Sequence, residues 1–129
     1  MEKQMRHKRY DCDFGCPVEA CVEVIGGKWK GVILFHLLGG TKRFNELSRL
    51  MPAVTQRMLT RQLRELEADR VVERKVYAEV PPKVEYSLTE FGKTLEPVLR
   101  TLQGWGVNYL EQITQIRKAR AQDYAPLDA

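Results

Sequence analysis

The feature that most constrains this chain of 129 residues is the proline pair Pro81 and Pro82, set between two runs with strand character. VVERKVYA is rich in β-branched residues, and KVEYSL alternates strictly, with Val84, Tyr86 and Leu88 on one side and Lys83, Glu85 and Ser87 on the other. Proline has no N–H to give to a strand ladder, so EVPPK must form the turn and the two runs fold back on each other as an antiparallel hairpin. The stiffened loop carries Lys83, and the incoming strand carries Arg74 and Lys75.

The segment before the hairpin, TQRMLTRQLRELEADR, has a cap candidate in Thr55. At about 100° per residue, Leu59, Leu63 and Leu66 fall in one stripe, and Arg57, Arg61 and Arg64 gather on the opposite side. Arginines clustered on one face without interleaved acids repel one another, and a negatively charged partner relieves that repulsion. A merely solvated face would alternate its charges.

Upstream, Pro17 follows Cys16 and Glu19 lies in the first turn, which predicts a helix from Pro17 to Ile25, ended by Gly26 and Gly27. WKGVILFHLL is apolar on most faces, as in a helix buried in a core. After a TKR link, FNELSRLM spaces Phe44, Leu47 and Leu50 as a short helix that Pro52 ends. The order is helix, helix, short helix, basic helix, hairpin. That is a winged helix-turn-helix, mainly α with a small antiparallel β-hairpin, in which the basic helix enters the major groove of DNA and the hairpin reaches the adjacent backbone or minor groove. The expected contacts with double-stranded DNA are Thr55, Gln56, Arg57, Thr60, Arg61 and Arg64 on the helix, Arg43 in the link, and Arg74, Lys75 and Lys83 on the hairpin.

From Thr89 the pattern turns helical again, and Leu95, Val98, Leu102, Trp105, Tyr109, Ile113 and Ile116 recur every three or four residues. A small domain cannot cover so long a stripe alone, so a second chain is expected on it. Trp105 and Tyr109 at this spacing read as packing before they read as a ligand pocket. Pro97 either kinks this helix or starts it afresh after a separate turn over Glu90 to Glu96. The chain thus divides into a basic arm over 1–15, with Lys3, Arg6, Lys8 and Arg9, a winged domain over 16–118 that also carries the dimer contacts, and a flexible tail over 119–129.

Composition agrees with this class and opposes others. With 43% hydrophobic and 29% charged residues the chain is an ordinary globular protein, and its net charge of +4 suits a polyanionic partner. The most apolar run, VILFHLL, is too short to cross a bilayer, and a cytoplasmic location is expected. The histidines His7 and His36 have no local nucleophile or acid arranged for catalysis; His36 reads as a packed residue of the apolar helix, and GGKWKG lacks the Lys-Ser/Thr ending of a phosphate loop. No enzymatic activity and no cofactor are assigned. The three cysteines, Cys12, Cys16 and Cys21, lie within CDFGCPVEAC. Their spacing lacks the C-x-x-C pairs of thiolate metal sites, and His7 is the one nearby extra donor, so no metal is assigned. Cys21 reads as a small buried residue beside Val18, Val22 and Ile25, and Cys12 as a loop residue. Cys16 occupies the cap of the first helix, where free backbone N–H groups and the helix dipole favour a thiolate, with Glu19 modestly opposed.

The ordered set CPVEACVEVIGGKW, TKRFNEL, LTRQLREL and VPPKVEYSLT closely resembles the HxlR family of bacterial winged-helix transcriptional regulators, relatives of the MarR proteins. The likeness spans roughly Cys16 to Gly106. It implies a homodimer that pairs the first and last helices between chains, with Val18, Val22, Leu102, Trp105, Tyr109 and Ile113 in the interface, and a pair of recognition helices that read a palindromic operator, here as a repressor. It further implies control of a neighbouring gene and, through the Cys-Pro position, Cys16 as the sensor of an oxidant or electrophile. Two positions depart from the family: Arg70 stands where glycine commonly closes the recognition helix in a left-handed conformation, and Gln56 where proline is frequent. Glutamine there can reach a base edge and pairs well with adenine. The alternatives are a winged-helix regulator that answers to a small ligand or metal without redox sensing, and a winged-helix module for protein binding, which would present an apolar or acidic face in place of the arginines.

Overall fold

The structure, a computed structural model, describes residues 15–128, with side chains as far as residue 123. Helices α1 (Pro17–Ile25), α2 (Lys30–Leu37), α3 (Phe44–Leu50) and α4 (Gln56–Ala68) are joined by a two-residue strand β1 (Lys42–Arg43) between α2 and α3, and are followed by strands β2 (Val72–Tyr77) and β3 (Lys83–Leu88). A short α5 (Glu90–Lys93) precedes α6 (Glu96–Asp128). Contacts divide the chain into two compact units at the junction of Glu96 and Pro97.

The core of the first unit is built where the sequence is most apolar. Ile33, Leu34, Leu47, Leu59, Leu63 and Leu66 are fully enclosed, and Met51, Val71, Val72, Tyr86 and Leu88 are buried with them. Each aliphatic side chain removed from water this way contributes about 2 kcal/mol, which is why the leucine stripe of α4 is settled by burial although its opposite face is polar. α1 buries no residue completely, and Cys21, expected in packed surroundings, is half-buried.

The TKR link is not a simple connection. Lys42 pairs with Tyr86 and Arg43 with Glu85, so β1 joins the hairpin as a third antiparallel strand in the order β1-β3-β2. Two residues carry no alternation to read; the strand exists because β3 offers it an open edge. Arg43 also opens α3, its backbone N–H donating to Glu46 Oε1 at 2.7 Å.

α4 ends in a Schellman closure. The Arg70 N–H donates to the Glu67 carbonyl at 2.9 Å and the Val71 N–H to the Leu66 carbonyl at 3.2 Å, and Arg70 takes φ 63°, the left-handed conformation that glycine adopts without cost. The departure at Arg70 therefore leaves the helix end in place and strains one residue. The Thr89 hydroxyl holds this corner, donating to the Arg70 carbonyl at 2.7 Å and accepting the Gly92 N–H at 2.9 Å.

Pro97 starts a helix afresh: α5 closes at Lys93 and α6 begins at Glu96, with the proline in its first turn, where its missing N–H costs nothing. α6 runs on through 119–128, the segment expected as a tail. Residues 1–14, all but the last residue of the arm expected over 1–15, lie outside the described residues, His7 and Cys12 with them.

Candidate nucleic-acid interface

The Thr55 hydroxyl accepts the Met58 N–H at 3.1 Å and so caps α4. That bond fixes where α4 begins, and the exposed hydroxyl keeps its own hydrogen to donate outward. From that start Gln56, Arg57, Arg61 and Arg64 are exposed and Thr60 is half-buried; the three arginines lie opposite the enclosed Leu59, Leu63 and Leu66, and Gln56 and Thr60 flank that face on the side of the sheet. A helix with one side locked into a core and the other carrying cations presents those cations at a defined angle, which a flexible basic segment cannot do.

The arginine face is not free of acids. Glu65 lies 3.5 Å from Arg61 at i,i+4 and 2.7 Å from Lys30 at the start of α2. The Lys30 hydrogen bond, followed by weaker help from Arg61, holds the Glu65 carboxyl below the usual carboxylate range against a smaller opposing effect of burial. Lys30 takes the more enclosed side of this carboxylate, at 13% side-chain exposure against 71% for Arg61. Arg61 thus keeps its guanidinium in solvent, loosely tethered. The RQLRE spacing carries the signal for the arginine pair; the lysine arrives from another helix and leaves none.

The hairpin residues separate onto two faces. Arg74 stands opposite Tyr86, and Lys75 opposite Glu85. Because side chains alternate along a strand, Arg74 shares the face of Val84 and Tyr86, toward α4, where Arg74 Nε lies 3.6 Å from Glu67 Oε1. An open cleft of about 400 Å³ lies between α4 and the sheet, with Phe44, Val84 and Tyr86 as its apolar floor and Gln56, Arg57, Thr60 and Arg74 at its polar rim. Burial pushes the Tyr86 hydroxyl above its ordinary range, with Arg74 opposing, Glu67 adding and Arg64 opposing.

Lys75, Lys83 and Arg43 belong to the other face, gathered round Glu85. Lys83, expected on the loop, is the first residue of β3, half-buried, with its Nζ 3.4 Å from Glu85 Oε2. The Tyr77 hydroxyl donates to Glu85 Oε1 at 3.0 Å. That bond first, then the nearby Lys83 and Arg43, holds the Glu85 carboxyl low although burial opposes them. The ten residues expected as one basic surface are therefore a helix face extended by Arg74, and a separate cluster on the far side of the wing.

Cys16 occupies the N-cap of α1 in extended backbone conformation, is exposed, and makes no side-chain cap hydrogen bond. Val18 and Val22, about one turn apart in α1, are 67% and 53% exposed. On α6, Leu102, Trp105 and Tyr109 are likewise exposed, Ile113 is half-buried, and the rings of Trp105 and Tyr109 lie 4.9 Å apart between centroids. His36 is half-buried at the end of α2; burial, helped by Lys42, lowers its pKa, as suits a packed neutral imidazole. Among the described residues, no group of three or more His, Cys, Asp or Glu is placed to hold a metal ion, and no helix is long and apolar enough to cross a membrane.

This geometry has close counterparts. The HTH-type transcriptional regulator YdeP of Bacillus subtilis (strain 168) is 55% identical over 122 residues, covering 90% of this chain and 95% of its own. The redox regulator HypR has been solved in two states: the reduced form matches at a TM-score of 0.74 and 57% identity, covering 78% of this chain and 99% of its own. The oxidised form matches at 0.70 and 62%, covering 72% and 96%. The transcriptional regulator YodB from B. subtilis, in its reduced form, matches at 0.64 and 40%, covering 75% and 96%. The family model of HxlR-like helix-turn-helix proteins matches residues 24–114, from the end of α1 well into α6. With the winged architecture, the capped basic helix and these matches in agreement, the chain belongs to the HxlR-like helix-turn-helix family of transcriptional regulators.

Proposed function

We propose that this protein binds a palindromic operator in double-stranded DNA as a homodimer, acts there as a repressor, and changes its affinity when Cys16 is modified by an oxidant or electrophile. The observation that carries the DNA-binding reading is the face of α4: Arg57, Arg61 and Arg64 project from a helix whose opposite side is fully enclosed, with the exposed Gln56 beside them in its first turn. A rigid cationic helix of this kind suits the major groove, where arginine reads guanine edges and glutamine adenine, and Arg74 extends it toward the flanking phosphates. Dimerisation is supported by the apolar side chains that α1 and α6 each expose, Val18, Val22, Leu102, Trp105 and Tyr109 among them. Exposed stripes of this length on a small chain are faces for another chain.

Redox control draws on the exposure of Cys16 at a helix cap, and on the relatives described as a redox regulator. The thiol is open to solvent at the cap of the helix that carries Val18 and Val22, so an added group there would disturb a pairing of two chains through α1. A dimeric reader needs its two recognition helices at fixed separation, and a small rotation of the subunits removes several contacts together. Treatment with diamide or a quinone is expected to change operator affinity by roughly tenfold or more, equivalent to one or two base contacts. The test is a comparison of reduced and treated protein for the parent, Cys16→Ser and Cys21→Ser. Cys16→Ser should be insensitive and Cys21→Ser responsive; an identical response in parent and Cys16→Ser makes Cys16 a cap and nothing more.

A further inference from the structure

The far face of the wing holds an arrangement that recognition by α4 does not need. Tyr77 closes β2 and pairs with Lys83, the first residue of β3, while Lys75 pairs with Glu85 one step inward. Alternation puts all four side chains on one face at the neck of the wing loop. Lys83 Nζ lies 4.7 Å and Lys75 Nζ 5.0 Å from the centre of the Tyr77 ring, both within cation–π range, and the ring's hydroxyl is tied to Glu85 at 3.0 Å. Glu85 in turn takes Lys83 at 3.4 Å. Arg43 stands opposite Glu85 from β1, and the exposed Glu73 lies further down β2 on the same face.

Two ammonium groups held beside one ring repel each other, and lysine is among the most costly side chains to immobilise. The ring offsets the repulsion through its negative face, and the carboxylate anchors both the ring and one lysine. The result is a pair of cations held at the wing neck before any partner arrives. Preorganisation of this sort raises affinity by removing an ordering cost from the binding step.

The geometry points to Tyr77 as the positioning residue of the wing: it holds Lys75 and Lys83 for phosphates of the DNA backbone while touching no DNA itself. This assignment rests on the reading of the chain as a DNA-binding protein and adds to it which wing residue organises the contact. The sequence marks Tyr77 only faintly, as one more strand-forming residue of VVERKVYA.

The probe is a duplex that the full-length parent selects from a random-sequence pool. Four variants are compared with the parent: Tyr77→Leu, Tyr77→Phe, the double substitution Lys75→Ala with Lys83→Ala, and that double substitution combined with Tyr77→Leu. Tyr77→Leu keeps apolar bulk on a half-exposed site and should lower affinity about tenfold, as removal of two cation–π contacts implies. Tyr77→Phe keeps the ring and should stay within about threefold of the parent. The lysine pair should lower affinity and flatten the dependence of log K on log salt by roughly 0.9 for each phosphate that is no longer neutralised. In the lysine-free background Tyr77→Leu should have no further effect, because its whole influence runs through those lysines.

A merely structural tyrosine would cost the same in both backgrounds, and that outcome overturns the proposal. So does parent-like binding by Tyr77→Leu, or an unchanged salt slope in the lysine variant. Failure of the underlying reading looks different: the parent then selects no duplex at all.

Discussion

Replacing Arg57, Arg61 and Arg64 together with alanine should lower affinity for operator DNA by at least about a thousandfold at matched salt, with the fold intact. A good arginine contact to a base edge is worth about 1–3 kcal/mol, and one to phosphate adds to the salt-dependent part of binding. A dimer loses two copies of each. Even if half of those contacts form in the complex, about 4 kcal/mol disappears, which is the thousandfold. Stability should barely change, because the exposed pair of Arg61 with Glu65 is of a kind worth a few tenths of a kcal/mol, and Lys30 keeps its hold on Glu65. Gel-shift titration beside a urea unfolding curve separates the two effects. Parent-like binding by a folded triple variant would move DNA recognition away from α4.

The second large effect concerns stability, at the corner where α4, β2 and α5 meet. Gly92 is buried, and a Cβ built on it runs into the carbonyl of Val71, a backbone atom that cannot swing aside. That carbonyl already accepts the Thr89 N–H at 3.1 Å, and Val71 closes α4, so a shift there disturbs three elements together. Gly92→Ala should therefore destabilise by about 3 kcal/mol, the upper end of overpacking costs and a large share of the stability of a small domain. Arg70→Gly, on the same corner, should act in the opposite direction. It relieves the left-handed strain at φ 63° and should stabilise by about 0.5–1 kcal/mol after the backbone entropy of glycine is charged against it. Unfolding midpoints at one protein concentration, with unchanged urea slopes, check both signs. A neutral Gly92→Ala would mean that the corner yields at little cost.

Much of this fold is legible in the sequence because local rules and burial agree. Proline after Cys16 and the glycine pair bound α1 at Pro17 and Ile25, where the structure has them, and the leucine period places the enclosed stripe of α4. Pro81 and Pro82 mark the hairpin loop, and Pro97 the new start of α6. What stays hidden depends on partners distant in sequence. β1 is two residues long and owes its existence to the edge of β3. Strand register places Arg74 beside α4 and sends Lys75 and Lys83 to the far face, although all of them look alike as a string of basic residues. Lys30 reaches Glu65 from another helix, and the close approach of Gly92 to Val71 has no mark in either segment. Arg61 with Glu65 is the exception: its i,i+4 spacing is local, and it puts an acid on a face that the arginine period alone describes as purely cationic.

The claim that two copies of α4 read one symmetric site is tested most directly by selecting duplexes from a random-sequence pool with the full-length parent and mapping the winner by hydroxyl-radical footprinting. The predicted result is an enriched sequence with two-fold symmetry, protected in two blocks whose centres lie about one helical turn or a multiple of it apart. No enrichment above a non-specific duplex, or a single block on an asymmetric sequence, would contradict it.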